Sequence, residues 1–287
     1  MKEDDDWLYE INSKQRLIDI GLSDILRYKD LLFLFVRRDI VATYKQTILG
    51  PIWYLIEPLF TSIIFTLIFN NIASITTGDV PPFLFNLAGV TLWNYFRECF
   101  TDSSNTFTTN SNLFSKVYFP RVIVPLSKSI SSLFKLGIQL FLFTLFYTYY
   151  IYKGAALRPD IMIWLIPILI LMMAILGLGM GMIISSLTTK YRDFKILVSF
   201  AVSLLMYISA VMYPLSEVRN NASLKAYAWI VEYNPIAIVI ESFRYITLGE
   251  GVFSWLLIGY CLLMSCFVFF SGIVLFNRTG KSFIDTV

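Results

Sequence analysis

The chain has 287 residues, 57% hydrophobic, 17% aromatic and 15% charged, with a net charge of +3 and a mean hydropathy of +0.67. A soluble domain carries about 45–50% apolar and about 25% charged residues, so a soluble enzyme is excluded and a membrane-embedded chain is expected. The small net charge leaves no electrostatic footprint for nucleic acid, and the absence of histidine removes His-based triads, His-ligated zinc, haem ligation and imidazole proton relays.

The first residues, Met1 to Asp6, are acidic where a signal peptide is basic. No apolar core follows closely, so the first span is expected to act as the insertion signal. The Asp-x-Asp inside this stretch has no nucleotide-binding context and reads as a solvated tail. Ser23 to Gln46 follows, with Ser23 suited to an N-cap. Its apolar run Leu31–Val36 is six residues long and bracketed by Lys29-Asp30 and Arg37-Arg38-Asp39. It is too short to span and too apolar to be solvated, so it reads as an amphipathic helix. Two placements are open, and both can hold: against anionic headgroups of the inner leaflet, or packed on the protein's own cytoplasmic side.

A spanning helix needs about 20 mostly apolar residues. Six stretches are expected to span: Ile52–Ser74, Phe83–Thr101, Leu126–Tyr150, Ile161–Leu187, Ile196–Tyr213 and Phe253–Phe276. The fold class is therefore an all-α integral membrane protein. Its expected divisions are residues 1–51 (tail and interfacial helix), 52–276 (six-span domain) and 277–287 (tail). Lys and Arg number fifteen outside the spans on the side of the termini and five on the other. Positive charge stays inside, so both termini are expected in the cytoplasm.

Two further segments are too apolar for plain loops. Asn110 to Leu126 is interrupted by Pro120 and Pro125 and is expected to hold a short helix, Leu113–Tyr118, as a cytoplasmic knob. Leu215 to Gly251 holds a 25-residue apolar run, Leu224–Leu248, that contains Lys225, Glu232, Glu241 and Arg244. An Arg or Asp at the centre of a span costs at least about 2.5 kcal/mol, and Asn234-Pro235 breaks a helix. Two half-helices re-entering the outer leaflet fit better than a seventh span, and such backbone must be buried in protein or line a watery cavity.

Catalytic signatures are missing. Gly280-Lys281 lacks the first glycine of a P-loop, since Leu275 stands there, and there is no nucleophile elbow or dinucleotide fingerprint. No metal site is expected. Cys99, Cys261 and Cys266 lie in apolar stretches without ligand spacing and read as small buried hydrophobes. Gly177, Gly179 and Gly181 alternate in an apolar helix and are expected to permit close helix packing. The ionisable residues inside spans are Glu57, Arg97, Glu98, Lys128 and Lys135. Arg97 and Glu98 are neighbours and need separate partners, Lys128 is near enough to the inner end to snorkel, and Glu57 and Lys135 suit a polar path. Trp53, Tyr54, Tyr147, Tyr149, Tyr150 and Tyr152 sit at span ends, as an interfacial belt expects. Trp93, Tyr95 and Phe96 lie inside the second span, where they either pack or stack on sugar rings.

In order along the chain, RYKDLLFLFVRRDIVATYKQTILGPIWYLIEP (27–58), GVTLWNYFRECFTDSSNTFTTNSNLFSKVYFPRVIVPLS (89–127), LGLGMGMIISSLTTKYRDFKILV (176–198), SAVMYPLSEV (209–218) and YNPIAIVIESFRYITLGEG (233–251) resemble the permease subunits of polysaccharide ABC transporters. These are the O-antigen and teichoic-acid exporters of the ABC-2 class. The resemblance covers about residues 22–278, and LFSKVYFPR and YNPIA…ESFR are its most specific parts. It departs at Thr188-Thr189-Lys190, which precede YRDF, and in the acidic N-terminal tail.

The resemblance implies two copies enclosing a channel in a bacterial inner membrane, with no catalytic residue in this chain. Two copies of a separate ATPase subunit would bind ATP and Mg. Leu113, Phe114, Lys116, Tyr118, Phe119, Pro120 and Arg121 would form the coupling helix that docks on that ATPase, with Tyr191, Arg192 and Asp193 as a second contact. Pro214, Asn234, Pro235, Glu241 and Arg244 would belong to the outer gate. The implied cargo is a glycan on a lipid pyrophosphate. Arg37, Arg38 and Lys45 are expected to attract its phosphates, and Trp93, Tyr95 and Phe96 to stack on its sugars. An ABC-2 permease for a drug or small lipid is the nearest rival. A secondary transporter would show internal repeats, and a membrane-embedded glycan enzyme would need converging acid and base groups; neither is found in the sequence.

Overall fold

Inside a bilayer every backbone group must bond within its own segment, which favours helices. The computed structural model describes residues 26–45, 50–114, 116–117, 119–190, 193–220 and 225–283, and these are helical with no strand among them. The elements are α1 (Lys29–Lys45), α2 (Trp53–Phe65, continued by a π-helical Thr66–Ile72), α3 (Pro82–Ser104), α4 (Ile123–Tyr152), α5 (Ile166–Lys190, entered through a 3-10 turn Ile161–Leu165), α6 (Phe194–Ile208), α7 (Leu215–Asn220), α8 (Ala228–Glu232), α9 (Pro235–Leu248) and α10 (Trp255–Phe283). Single helical turns, Thr106–Thr109 and Ser111–Phe114, link α3 to α4.

Among the described residues, four stretches are long and apolar enough to cross a membrane: Trp53–Ile72, Ile123–Tyr152, Ile161–Thr189 and Trp255–Gly280. The other two expected spans differ for opposite reasons. α3 has 23 residues, about 34 Å of helix, but carries Asn86, Asn94, Arg97, Glu98 and Asp102. It tolerates them because it is the central helix, packed against α2, α4, α5 and α9. α6 is apolar but has 15 residues, about 22 Å, against a hydrocarbon core of about 30 Å. It ends at Ile208, five residues before the expected end at Tyr213, where Ala210 turns the chain with a left-handed φ of 52°.

Three other boundaries shift. The knob helix is the turn Ser111–Phe114 rather than Leu113–Tyr118, and Tyr118 lies outside the described residues. Pro125 sits in the first turn of α4 rather than breaking it; the N–H that proline lacks has no helical partner there. α10 continues to Phe283, seven residues past Phe276. Ser23, the expected N-cap, lies outside the described residues.

The glycine alternation sets the tightest packing. A Cβ on Gly177 would come within 2.9 Å of Cys99 Cβ and 3.1 Å of the Phe96 carbonyl, and one on Gly181 would meet Phe100 and Ser103, so both press α5 onto α3. Gly179 faces the opposite way, where a Cβ would stand 2.7 Å from the Phe269 backbone, with Gly272 against Gly179 from the α10 side. α5 is thus held between two backbones. A second, smaller core of Phe35, Phe107, Phe114, Phe119, Leu178, Met182, Ile273 and Phe276 joins α1, the linking turns, α5 and α10. Cys99 and Cys261 are buried, and Cys266 is half-buried.

Gly179→Val forces α5 from α10 and is expected to cost about 1–3 kcal/mol, read as a lower midpoint of thermal unfolding in detergent. Gly259→Ala, where a Cβ has nothing within 4 Å, is expected to leave the midpoint unchanged or raise it.

Candidate functional site

A polar cleft forms where α1, α2, α3 and α4 converge. On α4, Lys128, Ser131, Ser132 and Lys135 follow the i, i+3, i+4, i+7 spacing of one helix face. Lys128 Nζ stands 3.1 Å from Asp39 Oδ2 on α1. Arg38 Nη2 donates to Asp39 Oδ1 at 2.9 Å. Two helical turns further along α4, Lys135 Nζ is 3.2 Å from Glu98 Oε1 and 5.0 Å from the Tyr54 ring centroid. Arg97 Nη2 donates to Glu57 Oε1 at 2.6 Å. Arg97 and Glu98, about 100° apart on α3, therefore find separate partners on α2 and α4, as their adjacency requires. Asp39, Ile40, Tyr54, Asp102, Lys128, Ser131, Ser132, Phe134 and Lys135 line a cavity of about 70 Å³.

The Arg97–Glu57 pair is open on one side: the side chains are 37% and 50% exposed. A charged group against hydrocarbon costs at least about 2.5 kcal/mol, so this side of the bundle suits water or protein, not lipid tails. Sequence reasoning named Glu57, Arg97, Glu98, Lys128 and Lys135 but missed Asp39 and Asp102. The available signal was that Lys128 and Lys135, two turns apart on one face of a spanning helix, each need an acidic partner from a neighbouring helix. Lys128, expected to snorkel, reaches Asp39 instead.

The other sequence-chosen residues fall into distinct places. Arg37, Arg38 and Lys45 are exposed on α1. Phe35 of α1 enters the second core with the Arg38 guanidinium 4.7 Å from its ring centroid, while Phe33 and Leu34 stay exposed. The helix therefore packs on its own protein and still presents an apolar outer strip. Trp93, Tyr95 and Phe96 are 1%, 3% and 0% exposed. Trp93 and Phe96 contact each other at 5.6 Å, and Phe96 stacks on Phe100 at 6.0 Å. These rings pack the core; as placed they offer no free face to a sugar, because α3 is surrounded.

The knob is rooted by aromatic rings. Phe119 lies 5.8 Å from both Phe35 and Phe114, Phe107 bridges Phe114 and Phe276, and the Arg121 guanidinium lies 5.7 Å from the Phe114 ring centroid. Leu113, Pro120 and Arg121 are half-buried, while Lys116 and Val117 project outward. The expected coupling set thus divides into roots and an exposed tip. Asp193 is exposed at the start of α6. Tyr118, Tyr191 and Arg192 lie outside the described residues.

On the opposite end, the break at Asn234-Pro235 is a helix start. The Asn234 side chain caps α9 by accepting from Ile236 N–H at 3.0 Å, and Pro235 takes the first helical position. Its amide donates back to Ser209 Oγ at 3.1 Å. Pro214 is buried in the turn before α7. Glu241 and Arg244 lie inside, at 1% and 0% exposure. They are paired at 3.1 Å, so each offsets part of the other's cost of burial.

A model of the family described as ABC-2 type transporter matches residues 30–248. The chain belongs to the ABC-2 type transporter family. Among its relatives is an O-antigen export system permease protein RfbA from Klebsiella pneumoniae, 26% identical over 258 residues that make up 89% of this chain and 94% of the relative. Another, of the same name from Myxococcus xanthus, is 24% identical over 225 residues, 77% of this chain and 81% of that protein. Within this ABC-2 chain, the match spans the cleft, the knob and α9.

The Lys135–Glu98 pair is open to a direct check. Lys135→Met and Glu98→Gln are each expected to cost about 1–2 kcal/mol, less than a fully buried pair because both side chains retain some exposure. The double variant is expected to cost less than the sum of the two, read from thermal unfolding midpoints in detergent.

Proposed function

We propose that this chain is the channel-forming permease subunit of an exporter that carries a lipid-linked polysaccharide of the O-antigen or teichoic-acid kind across a bacterial inner membrane. Two copies enclose the path. Two ATPase subunits, which bind ATP and Mg, dock on the exposed Lys116–Val117 tip and beside Asp193, and both termini face that side. The observation that carries the reading is the charged cleft beside α1. Charges in spanning helices, open on one side, belong to a water-filled route, and here that route begins next to the helix that carries Arg37, Arg38 and Lys45. Those cations, with Lys128 behind Asp39, suit a phosphate at the inner leaflet. The names of the relatives support a polysaccharide cargo.

α2 and α6 support the two-copy arrangement. Phe60, Ile64 and Leu67 on α2, and Ile196, Leu197, Phe200 and Leu204 on α6, are exposed in the single chain. α7, α8 and α9 then dip back from the outer surface and cover the route.

Depletion of the protein, followed by chromatography of lipid-linked glycans from inside and outside the cell, tests the proposal. Full-length polymer trapped inside beneath a bare surface is the expected result. A normal surface glycan with no trapped intermediate would contradict it and favour a drug or small-lipid permease.

A further inference from the structure

Arg244 joins three parts of the chain that are remote in sequence. From α9, its Nη1 donates to the Ala210 carbonyl at 2.7 Å and to Glu241 Oε1 at 3.1 Å. Its Nη2 donates to the Val211 carbonyl at 2.6 Å, and its Nε to the Phe85 carbonyl on α3 at 3.3 Å. The guanidinium lies 3.6 Å from the Phe85 ring centroid. A planar fork with five N–H groups can hold three carbonyls and a carboxylate at once; an ammonium cannot.

The surroundings are shaped for this fork. Gly89 sits one turn along α3 from Phe85, and a Cβ there would overlap Arg244 Nη2 and come within 2.5 Å of the Val211 carbonyl. Ala210 adopts its left-handed φ of 52° in the reversal after α6, a conformation that is uncommon for a residue with a Cβ. α9 is fastened at its ends as well. Asp160 N–H donates to the Ile246 carbonyl at 2.9 Å, Cys261 Sγ–H to the Pro235 carbonyl at 3.3 Å, and 12 of its 14 residues are buried.

We propose that Arg244, seated by Gly89, is a positioning residue that rivets α9, the outer half of α3 and the reversal at 210–211 into one block, and that this block forms the fixed outer seal of the conduit. α9 then moves with α3 during the transport cycle and does not swing away from it. This inference rests on the reading of 214–251 as the outer cover of a conduit, but not on the cargo.

The test uses the chain with its ATPase partner in proteoliposomes, with potassium leak and ATP turnover as readouts that need no glycan. In a Cys266→Ser background, Asp79→Cys and Glu250→Cys are joined by a short bis-methanethiosulfonate linker. Asp79 is the chain neighbour of Gly78, where a Cβ would stand 2.6 Å from the Glu250 carboxylate, so the linker joins the entry of α3 to the exit of α9. The expected result is leak and ATP turnover within twofold of the unlinked protein; a tenfold loss of turnover on linking, restored by reduction, would overturn the proposal. Gly89→Ala is expected to raise leak at least tenfold, yet less than twofold when added to Arg244→Gln. Gly89→Ala without leak, or full multiplication of the two effects, would overturn it. If Gly89→Ala does not fold, the linker experiment alone decides. A transporter that passes these tests yet exports no polysaccharide would leave the seal standing and overturn the cargo reading.

Discussion

A charge cannot be left alone in hydrocarbon, and that constraint arranges this molecule. Every ionisable group that α2, α3 and α4 carry at membrane depth is placed beside a neighbour of opposite sign or against the polar cleft. Glu57 meets Arg97 across α2 and α3, Glu98 meets Lys135 across α3 and α4, and Asp39 brings α1 to Lys128 on α4. Each pair crosses between helices, so the electrostatic requirement also fixes helix order and rotation. Replacing such pairs by well-packed apolar groups would often be neutral or stabilising. Their retention on one side of the bundle is therefore explained by what that side faces.

The opposite side of α3 is built by a different force. There, glycines bring α5 within backbone distance of α3 and α10, and attraction comes from many close atom contacts. The bundle thus has a dry, tightly packed half and a polar, partly open half, with α3 as the shared wall. At one end the aromatic roots of the knob tie α1, α5 and α10 together. At the other, Arg244 ties α9 to α3. The aromatic roots also reach the start of α4 through Ile123 and Val124, while the charged pairs join α1 to α4, α2 to α3 and α3 to α4.

Much of this was legible in the sequence. The Asn234-Pro235 pair marked the break between two half-helices, which the structure shows to be a capped helix start, and the Gly177–Gly181 alternation marked close packing because its residues have no side chain to separate the helices. Adjacent Arg97 and Glu98 had to diverge. Other features depend on neighbours that a linear reading does not provide. Trp93, Tyr95 and Phe96 looked available because a span's aromatic residues give no sign of which face is covered. α3 is surrounded, so they are core. Lys128 looked like a snorkelling residue because Asp39, 89 positions away, had not been placed beside it. α6 fell short of its expected end because hydropathy reads straight through the Ala210 reversal. Gly89 opens one of the stretches that carry the family resemblance, but nothing in the sequence says why it is a glycine; the arrival of Arg244 against it shows why the position has no Cβ.

The central claim is that the open side of the charged seam faces water within the membrane. The direct measurement is collisional relaxation of a spin label at Glu57→Cys in the assembled transporter in lipid nanodiscs, with a polar nickel complex compared against oxygen. The account predicts strong relaxation by the polar complex and weak relaxation by oxygen. Relaxation dominated by oxygen would place Glu57 against lipid tails and contradict the account.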